Sequence, residues 1–502
     1  MADESEAKKK GAETEKPPEP KDNLVETRHT ITINGKEIPY NVTCGTIVLK
    51  EESEKKGEKE GEFEGEKPKA TIFFIAYTRQ GVADKSKRPL TFSFNGGPGS
   101  SSVWMHLGLL GPRRIEMGDA DNLLPPPYRL GDNPYSLLDE TDLVFIDPVS
   151  TGFSRAVPGE QTKQFHNIKK DVASVGDFIR LYTSRYQRWL SPKFLIGESY
   201  GTTRAAGLSG YLQERHGMYL NGIMLISAIL NFQAYDFGPG NDLPYITFLP
   251  TFAATAWYHQ KLPQSLQQKP LREVLDEVEA FALNEYTLAL MKGSRLSAEE
   301  RARIARKLAR YSGLSQDYLL RCDLRIEIFR FTKELLRAQG RTVGRIDSRF
   351  KGIDRDSAGE NFEHDPSMSA IMGPYTAALN HYVSSELNFQ SDLPYKILAN
   401  LWQTWSYAEH ENRYVDVADT LRKALSANPF LKIHVANGYY DLATPYLATE
   451  YTFNHLGLDA SLHGNISMSF YEAGHMMYMH AASLAKLKEV LSGFIHSAVP
   501  AE

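Results

Sequence analysis

The sequence predicts an α/β protein in which helices cover both faces of a largely parallel central sheet. Short apolar runs of strand length are separated by stretches in which apolar residues recur at helical spacing. A Gly-x-Ser-x-Gly pattern directly follows one of these runs, as expected at a tight turn between a strand and a helix. The predicted strands of the sheet span residues 71–77, 89–95, 142–147, 193–197, 222–227, 431–436 and 467–471.

The N-terminal region is polar. Residues 1–22 are rich in Lys, Glu and Pro and have almost no large apolar side chains, so we expect a disordered tail over residues 1–25. After this tail, the apolar runs 46–49 and 71–75 predict a hairpin. The charged stretch 51–69 between them predicts a solvated loop.

Apolar residues recur at helical spacing in two parts of the chain. Residues 171–189 predict a helix that packs against the strand 193–197. The pattern then becomes mainly helical between about residues 236 and 395, where Ser297 followed by Glu300 is typical of a helix start. The predicted helices of this region span residues 271–291, 297–311 and 325–338.

The pattern Gly197-Glu198-Ser199-Tyr200-Gly201 is the most informative feature of the chain. In the nucleophile elbow of α/β-hydrolases, such a turn exposes the Ser hydroxyl at the top of the sheet. The two glycines are required because any Cβ there would collide with the tight backbone. A surface turn with the same sequence is the alternative, so the interpretation depends on whether matching residues occur elsewhere in the chain.

Two downstream residues complete a candidate catalytic triad. Asp441 follows the apolar run 431–436, and His475 follows the run 467–471. The order Ser, acid, His is the one that α/β-hydrolases use. An imidazole must take the proton of the Ser hydroxyl, and a carboxylate must orient the imidazole and stabilise its cation. A single Asp in a loop is commonly a turn residue and a single His commonly a packed one, but their order and placement favour catalysis.

A glycine-rich loop after the strand 89–95 supplies a further element. It reads Asn-Gly-Gly-Pro-Gly within residues 91–104, and exposed N–H groups in such a loop suit an oxyanion hole. With Gly-Glu-Ser-Tyr-Gly at 197–201 and Ala-Gly-His-Met at 473–476, this set resembles the serine carboxypeptidases, which are exopeptidases with an α/β-hydrolase fold. The segments 133–138 and 142–154 also match.

The resemblance extends over roughly residues 70–235 and 395–495 and implies a domain organisation. The α/β-hydrolase core would consist of residues 26–235 and 396–502. Residues 236–395 would form a mainly helical cap that narrows access to the cleft. The polar N-terminus is typical of a bacterial-type member of the family.

The resemblance also implies catalytic roles. Ser199 would attack the scissile carbonyl, with His475 as general base and then acid, and with Asp441 orienting His475. The N–H groups of Gly97 and Tyr200 would hold the oxyanion.

Recognition of the substrate's terminal carboxylate is implied at Asn95, the backbone of Gly96, and Glu198. Burial favours the neutral form of a carboxyl, which donates a hydrogen bond to a carboxylate, whereas an ionised Glu198 would repel it. We therefore expect KM to rise between pH 4 and 8 as Glu198 ionises. The alternative for Glu198 is a solvated turn carboxylate. Met476 either lines the pocket for the leaving residue or packs in the core.

The chain departs from better-known members of the family at three positions. Ser93 stands where they have Trp, Leu109 where a carboxylate-binding Glu is expected, and Ser100 where they have a Cys in a disulfide. The first two changes bear on carboxylate recognition. Arg113 and Arg114 either supply positive charge near the cleft or lie on the surface.

Composition and charge argue against several classes of partner and ligand. A net charge of −5 without a basic stripe argues against nucleic acid, and no apolar run approaches the roughly 20 residues that span a bilayer. Cys44 and Cys322 lack metal-ligand spacing and imply no disulfide framework. We expect neither a cofactor nor a metal, since His475 and His480 do not have the spacing of the helical zinc motif and no phosphate-binding glycine loop is present.

The sequence thus predicts a serine-type carboxypeptidase that acts on peptides with a free C-terminus. A related esterase or acyltransferase stays open because of Ser93 and Leu109, and a catalytically silent binding protein is a third alternative. Family members often form homodimers. Without a signal peptide the chain is expected to be cytoplasmic, or periplasmic or secreted if a leader precedes it.

Overall fold

A mixed β-sheet carries the candidate site residues. The computed structural model describes residues 19–55, 61–120 and 122–500. Its strands are β1 (Asn23–Ile33), β2 (Lys36–Glu54), β3 (Phe63–Arg79), β4 (Leu90–Phe94), β5 (Arg113–Ile115), β6 (Leu130–Asp132), β7 (Asp142–Ile146), β8 (Arg155–Ala156), β9 (Lys193–Glu198), β10 (Gly222–Ile226), β11 (Thr342–Val343), β12 (Lys351–Gly352), β13 (Lys432–Gly438) and β14 (Ile466–Tyr471). Its α-helices are α1 (Val103–Met105), α2 (Ile168–Arg185), α3 (Tyr200–His216), α4 (Leu243–Tyr258), α5 (Gln264–Gln267), α6 (Leu271–Phe281), α7 (Thr287–Lys292), α8 (Ala298–Ser312), α9 (Gln316–Arg321), α10 (Ile328–Glu334), α11 (Pro366–His381), α12 (Ala418–Ala427), α13 (Tyr446–Asn454) and α14 (Ala481–Ala498).

The sheet has an antiparallel edge and a parallel centre. Its strand order is β1-β2-β3-β7-β4-β9-β10-β13-β14, with β8 beside β3. Strands β1, β2, β3 and β7 pair in antiparallel fashion. From β7 onward every neighbouring pair on this path is parallel. The predicted α/β class is confirmed, and each run predicted as a strand of the central sheet overlaps one of these strands.

Apolar clusters cover both faces of the sheet. On one face, side chains of α2 and α3, such as Val175, Ile179 and Leu208, pack against the sheet. On the other face, Leu484 and Leu487 of α14 do the same. The sheet therefore lies between two helical layers, and the predicted helix over 171–189 is present as α2.

The N-terminal expectation of a disordered tail over 1–25 is wrong at its C-terminal end. Strand β1 begins at Asn23 and pairs residue for residue with β2. Val25 packs against the core on the α14 side of the sheet, so the segment gains enough apolar burial to be ordered. Residues 1–18 of the predicted tail lie outside the described residues.

The charged stretch 51–69 is not simply a loop. The predicted hairpin is present, but β2 and β3 continue into this stretch and pair as far as Glu54 and Phe63. Exposed ion pairs such as Lys55 with Glu62, at 2.8 Å, accompany the extension. Charged side chains on a solvated two-stranded ribbon are compatible with strand pairing because the backbone supplies the hydrogen bonds. Residues 56–60 lie outside the described residues.

Helices α4 to α11 occupy most of the segment 236–395. Helices α4 to α10 enclose an apolar cluster of their own, which includes Tyr440 and Leu442 of the sheet region, whereas α11 packs in the core on the α14 side of the sheet. Helix α8 begins as predicted, with reciprocal hydrogen bonds between Ser297 and Glu300. This segment therefore packs directly over the part of the chain that follows β13.

Two expectations from composition concern the described residues. Cys44 and Cys322 are both free thiols. No helix within the described ranges has both the length and the apolar character needed to cross a membrane.

A buried charge cluster joins three segments at one end of the sheet. Asp142, the first residue of β7, accepts hydrogen bonds from Arg88 Nε at 3.1 Å and Arg188 Nη1 at 2.5 Å. All three side chains are buried. Removing the carboxylate would leave two guanidinium groups without their anion in a poorly solvated place.

We predict that Asp142→Asn lowers the free energy of unfolding by about 3–5 kcal/mol. The matched control is Asp317→Asn, because Asp317 forms an exposed ion pair with Arg321 and such pairs contribute roughly 0–1 kcal/mol. Urea unfolding followed by circular dichroism measures both changes. Equal effects of the two substitutions would contradict the structural importance of the cluster.

Candidate active site

The turn between β9 and α3 holds Ser199 in a strained backbone conformation. Its φ is 58° and its ψ −131°, a region that residues other than glycine rarely adopt. A Cβ on Gly197 would lie 2.2 Å from Gly201 O, and a Cβ on Gly201 would lie 2.7 Å from Phe94 O. The two glycines of the pattern are therefore required by close backbone contact, as expected for a nucleophile elbow.

Asp441 and His475 are in direct contact. Asp441 Oδ2 lies 2.8 Å from His475 Nδ1, and both residues are buried. Asp441 Oδ1 accepts hydrogen bonds from the N–H groups of Ala443 and Thr444, which fix the carboxylate. The loops after β13 and β14 thus bring together the two residues that the sequence placed after successive strands.

The protonation of His475 reflects opposing effects. Burial lowers the pKa of the imidazole, but the charge of Asp441, the hydrogen bond with it and the charge of Glu198 raise the pKa above its usual value. The His475 N–H donates to Ile346 O at 2.8 Å, and the His475 carbonyl accepts from Ser227 Oγ at 2.7 Å. The backbone of the candidate base is therefore held from two sides.

Ser199 and His475 line one cavity of about 490 Å³. The glycine-rich loop after β4 forms part of its wall, and Gly97 and Tyr200 line it as well. An ideal Cβ on Gly96 would lie 2.5 Å from Tyr200 N, so this loop contacts the start of α3 directly. The structure thus brings the two candidate N–H donors to the same cavity as the candidate nucleophile.

Asn95 and Glu198 form a buried pair beneath this cavity. Asn95 Nδ2 donates to Glu198 Oε1 at 2.8 Å, and Asn95 Oδ1 accepts from Met105 N at 3.2 Å. Burial raises the pKa of Glu198 to about 7, although the charge of His475 and the hydrogen bonds to the carboxyl act in the opposite direction. Glu198 is therefore not the solvated turn carboxylate that was the alternative, and it is neutral in acid.

Tyr478 is a partner of Glu198 that sequence reasoning missed. Its hydroxyl donates to Glu198 Oε2 at 2.5 Å. Gly108 makes room for it, because a Cβ there would lie 2.5 Å from the rings or hydroxyls of both Tyr478 and Tyr375. Its position three residues after His475 does not by itself predict this contact, although a buried Tyr hydroxyl usually finds a hydrogen-bond partner.

The three departures from the family pattern have distinct surroundings. Leu109 is buried in the apolar core, where it supplies no polar side chain. Ser93 is also buried, and its hydroxyl has no hydrogen-bond partner among the described residues. Ser100 Oγ accepts a hydrogen bond from Trp104 Nε1 at 2.8 Å, so a polar contact occupies the place of the disulfide.

The two arginines after Gly111-Pro112 differ. Arg113 pairs with Asp132 and Glu386, so it belongs to a peripheral charge network. Arg114 is half-buried and donates to the carbonyls of Gly108 and Tyr478, at 3.3 and 3.5 Å. Arg114 therefore holds the backbone at Gly108 and Tyr478. Met476 is buried and lines the cavity.

One group of potential metal ligands exists among the described residues, away from this cavity. Asp354, Glu363 and His364 bring ligand atoms within 4.8 Å of one another. Asp354 already forms an ion pair with Lys333. Exposed acidic groups of this kind are common, and the cluster carries no assignment.

The chain is similar to several known proteins. The family model described as serine carboxypeptidase matches residues 62–490. Among curated proteins of Arabidopsis thaliana, serine carboxypeptidase-like 36 is 28% identical over 172 residues, which is 33% of each chain. Serine carboxypeptidase-like 38 is 39% identical over 87 residues, or 17% of this chain and 16% of that protein. The chain thus spans about a third or less of the length of these relatives.

A solved structure shows the same fold over nearly the whole chain. It is a prohormone-processing carboxypeptidase, KEX1(delta)p of Saccharomyces cerevisiae, with a TM-score of 0.54 and 16% sequence identity. The match covers 90% of this chain and 91% of that one. The architecture is therefore an α/β-hydrolase fold.

We predict that the Glu198 carboxyl titrates near pH 7, visible as the infrared C=O stretch of a protonated acid that disappears in Glu198→Gln. In Tyr478→Phe the pKa of Glu198 should rise, because the hydrogen bond from the Tyr478 hydroxyl favours the ionised carboxyl and is lost in this variant. Tyr375→Phe is the matched control, since Tyr375 packs beside Tyr478 at Gly108. Titration near the ordinary value of about 4.3 would contradict burial of a neutral Glu198.

Proposed function

Because this chain belongs to the serine carboxypeptidase family, we propose that it releases the C-terminal residue of peptides through an acyl-enzyme on Ser199. The observation that carries the proposal is the buried carboxyl of Glu198, hydrogen-bonded by Asn95 and Tyr478 and adjacent in sequence to Ser199. A neutral carboxyl at this place suits a substrate that ends in a carboxylate, whereas an internal peptide segment offers no such group.

The acylation step uses the three residues of the triad. His475 takes the proton of Ser199 Oγ as this oxygen bonds to the scissile carbonyl carbon. The N–H groups of Gly97 and Tyr200 donate to the oxygen that becomes negative. The C–N bond then breaks as His475 gives the proton to the leaving amine, and Asp441 stabilises the imidazolium in between.

Deacylation repeats the sequence with water. His475 removes a proton from a water molecule, whose oxygen bonds to the acyl carbon, and then returns the proton to Ser199 Oγ. The products are the shortened peptide and a free amino acid. The contact between Asp441 and His475 and the raised pKa of His475 support this role, since an imidazolium must form twice in each cycle.

Recognition of the terminal carboxylate depends on Asn95, the Gly96 backbone and Glu198. Neutral Glu198 donates a hydrogen bond to the substrate carboxylate, while the Tyr478 hydroxyl donates a hydrogen bond to Glu198 Oε2. Tyr478 also offers a polar group in a region where Leu109 supplies none. Burial and the nearby Glu198 raise the pKa of Tyr478, so its hydroxyl remains a donor.

We further propose that residues 236–395 act as a cap over the core of 26–235 and 396–502. Support comes from the cavity wall, to which the cap contributes Ile346, Met368 and Ile371. A closed wall on that side favours the end of a peptide over its middle.

Three narrower expectations remain proposals. Assignment to a bacterial-type member rests on the polar residues 1–22 alone, and the curated Arabidopsis relatives are plant proteins that lend it no support. The proposal of a homodimer rests on the frequent dimers of the family. The proposal that nucleic acid is not a partner rests on the net charge of the chain.

The second candidate is an esterase or acyltransferase with the same machinery. Buried Leu109, which stands at the expected position of a carboxylate-binding Glu, favours it because one carboxyl contact fewer is available. Covalent labelling of Ser199 by a fluorophosphonate would separate both candidates from a catalytically silent binding protein.

The direct test is release of the C-terminal residue from a blocked dipeptide with a free carboxylate, from pH 4 to 8. We expect KM to rise with pH toward and above about 7, as Glu198 loses its proton. Ser199→Ala should reduce kcat by about a million-fold and Asp441→Asn by about ten-thousand-fold.

Three outcomes of this test distinguish between the candidate functions. A flat KM over this range would contradict the role of Glu198 while leaving the triad intact. Ser199-dependent cleavage of a simple ester without peptide release would favour the second candidate. Unchanged peptide release in Ser199→Ala would overturn both.

A further inference from the structure

The catalytic cavity contains a cation that the proposed mechanism does not use. Arg345 lines the cavity together with Ser199 and His475, and it lies between β11 and β12 in the segment 236–395. The other titratable groups on the wall, apart from tyrosine, are Glu198 and His475. Most of the remaining wall is apolar, so Arg345 is the one permanent cation among the described residues that form it.

The backbone of Arg345 is fixed, whereas its guanidinium is not engaged. Its N–H donates to Asp365 Oδ1 at 3.2 Å, and its carbonyl accepts from Leu442 N at 3.0 Å. The side chain is partly exposed, and its guanidinium has no hydrogen-bond or ion-pair partner among the described residues. By contrast, Arg349 four residues later is buried and paired with Asp347.

Arg345 lies on the side of the cavity where the leaving group departs. The residue after it, Ile346, accepts a hydrogen bond from the His475 N–H at 2.8 Å, and the charge of Arg345 acts on the His475 ring by lowering its pKa. In the proposed reaction His475 delivers its proton to the leaving amine, so the residue to be released lies beside His475. Met476, next to His475, lines the same wall.

We propose that Arg345 binds an acidic side chain on the residue that is released, so that the enzyme prefers peptides ending in Asp or Glu. This inference rests on the proposed carboxypeptidase function and adds a second carboxylate site to the one at Asn95 and Glu198. Arg forms strong, paired hydrogen bonds with a carboxylate, and a low-dielectric cavity strengthens them. A substrate carboxylate against Arg345 would also neutralise a charge that opposes protonation of His475.

The test compares blocked dipeptides that differ only in the C-terminal residue, Asp against Asn and Glu against Gln, at pH 6, where the acidic side chains are ionised. For the wild-type protein we expect kcat/KM to be about tenfold or more higher for the acidic member of each pair. In Arg345→Gln this ratio should fall to about one. In Arg345→Glu, release of C-terminal Lys should become faster than release of C-terminal Asp.

Arg341→Glu is the matched control. Arg341 is exposed in the same segment and lies outside the cavity wall, so the substitution changes net charge equally without touching the site. It should keep the wild-type ratio. Fluorophosphonate labelling of Ser199 reports whether each variant is folded, and the wild-type ratio tests the proposal even if one variant is not.

Several results would overturn the inference. Equal release of Asp and Asn by the wild-type protein, or an acidic preference that survives in Arg345→Gln, would remove the role of Arg345. An Arg345-dependent preference for Asp at the penultimate position would place the cation beside the acyl group instead. Failure to release any residue would overturn the proposed function, and this inference with it.

Discussion

Close backbone packing around the turn at Ser199 is the constraint on which the rest of the site depends. The turn is enclosed by the loop after β4 and by the start of α3, at distances that leave no space for a Cβ on Gly96, Gly197 or Gly201. This packing holds Ser199 at a positive φ and brings Gly97 and Tyr200 to the cavity wall. It also forces the side chain before Ser199 into the interior, which is why Glu198 is buried.

Two buried carboxyl groups near the nucleophile have different contacts and hence different proposed tasks. Asp441 accepts several hydrogen bonds from Thr444 and its neighbours and contacts His475, so its carboxyl is held beside the imidazole. Glu198 is desolvated enough for its pKa to rise to about 7. The mostly apolar wall of the cavity, with Arg345 as its cation, then selects the side chain of the residue that is released.

Sequence patterns were informative where function requires a fixed local arrangement. The elbow, Asp441 and His475 could be found because each follows a strand of the central sheet, and parallel strands bring their carboxyl ends to one edge. Tyr478 and Arg345 could not, since a lone Tyr or Arg has no local pattern and its position depends on how distant segments pack. The spacing of apolar residues did not predict helices α4 and α11. Their sequences are apolar on most sides and include Pro250 and Pro374, so no single apolar face stands out.

Binding of a free-acid dipeptide to Ser199→Ala, measured by calorimetry in buffers of different ionisation enthalpy, tests the central claim most directly. If neutral Glu198 recognises the terminal carboxylate, binding at pH 7.5 should take up a substantial fraction of a proton, and binding at pH 5 almost none. Glu198→Gln in the same background should abolish the uptake at pH 7.5, which separates Glu198 from His475. Binding of equal affinity without proton uptake at pH 7.5 would contradict the account.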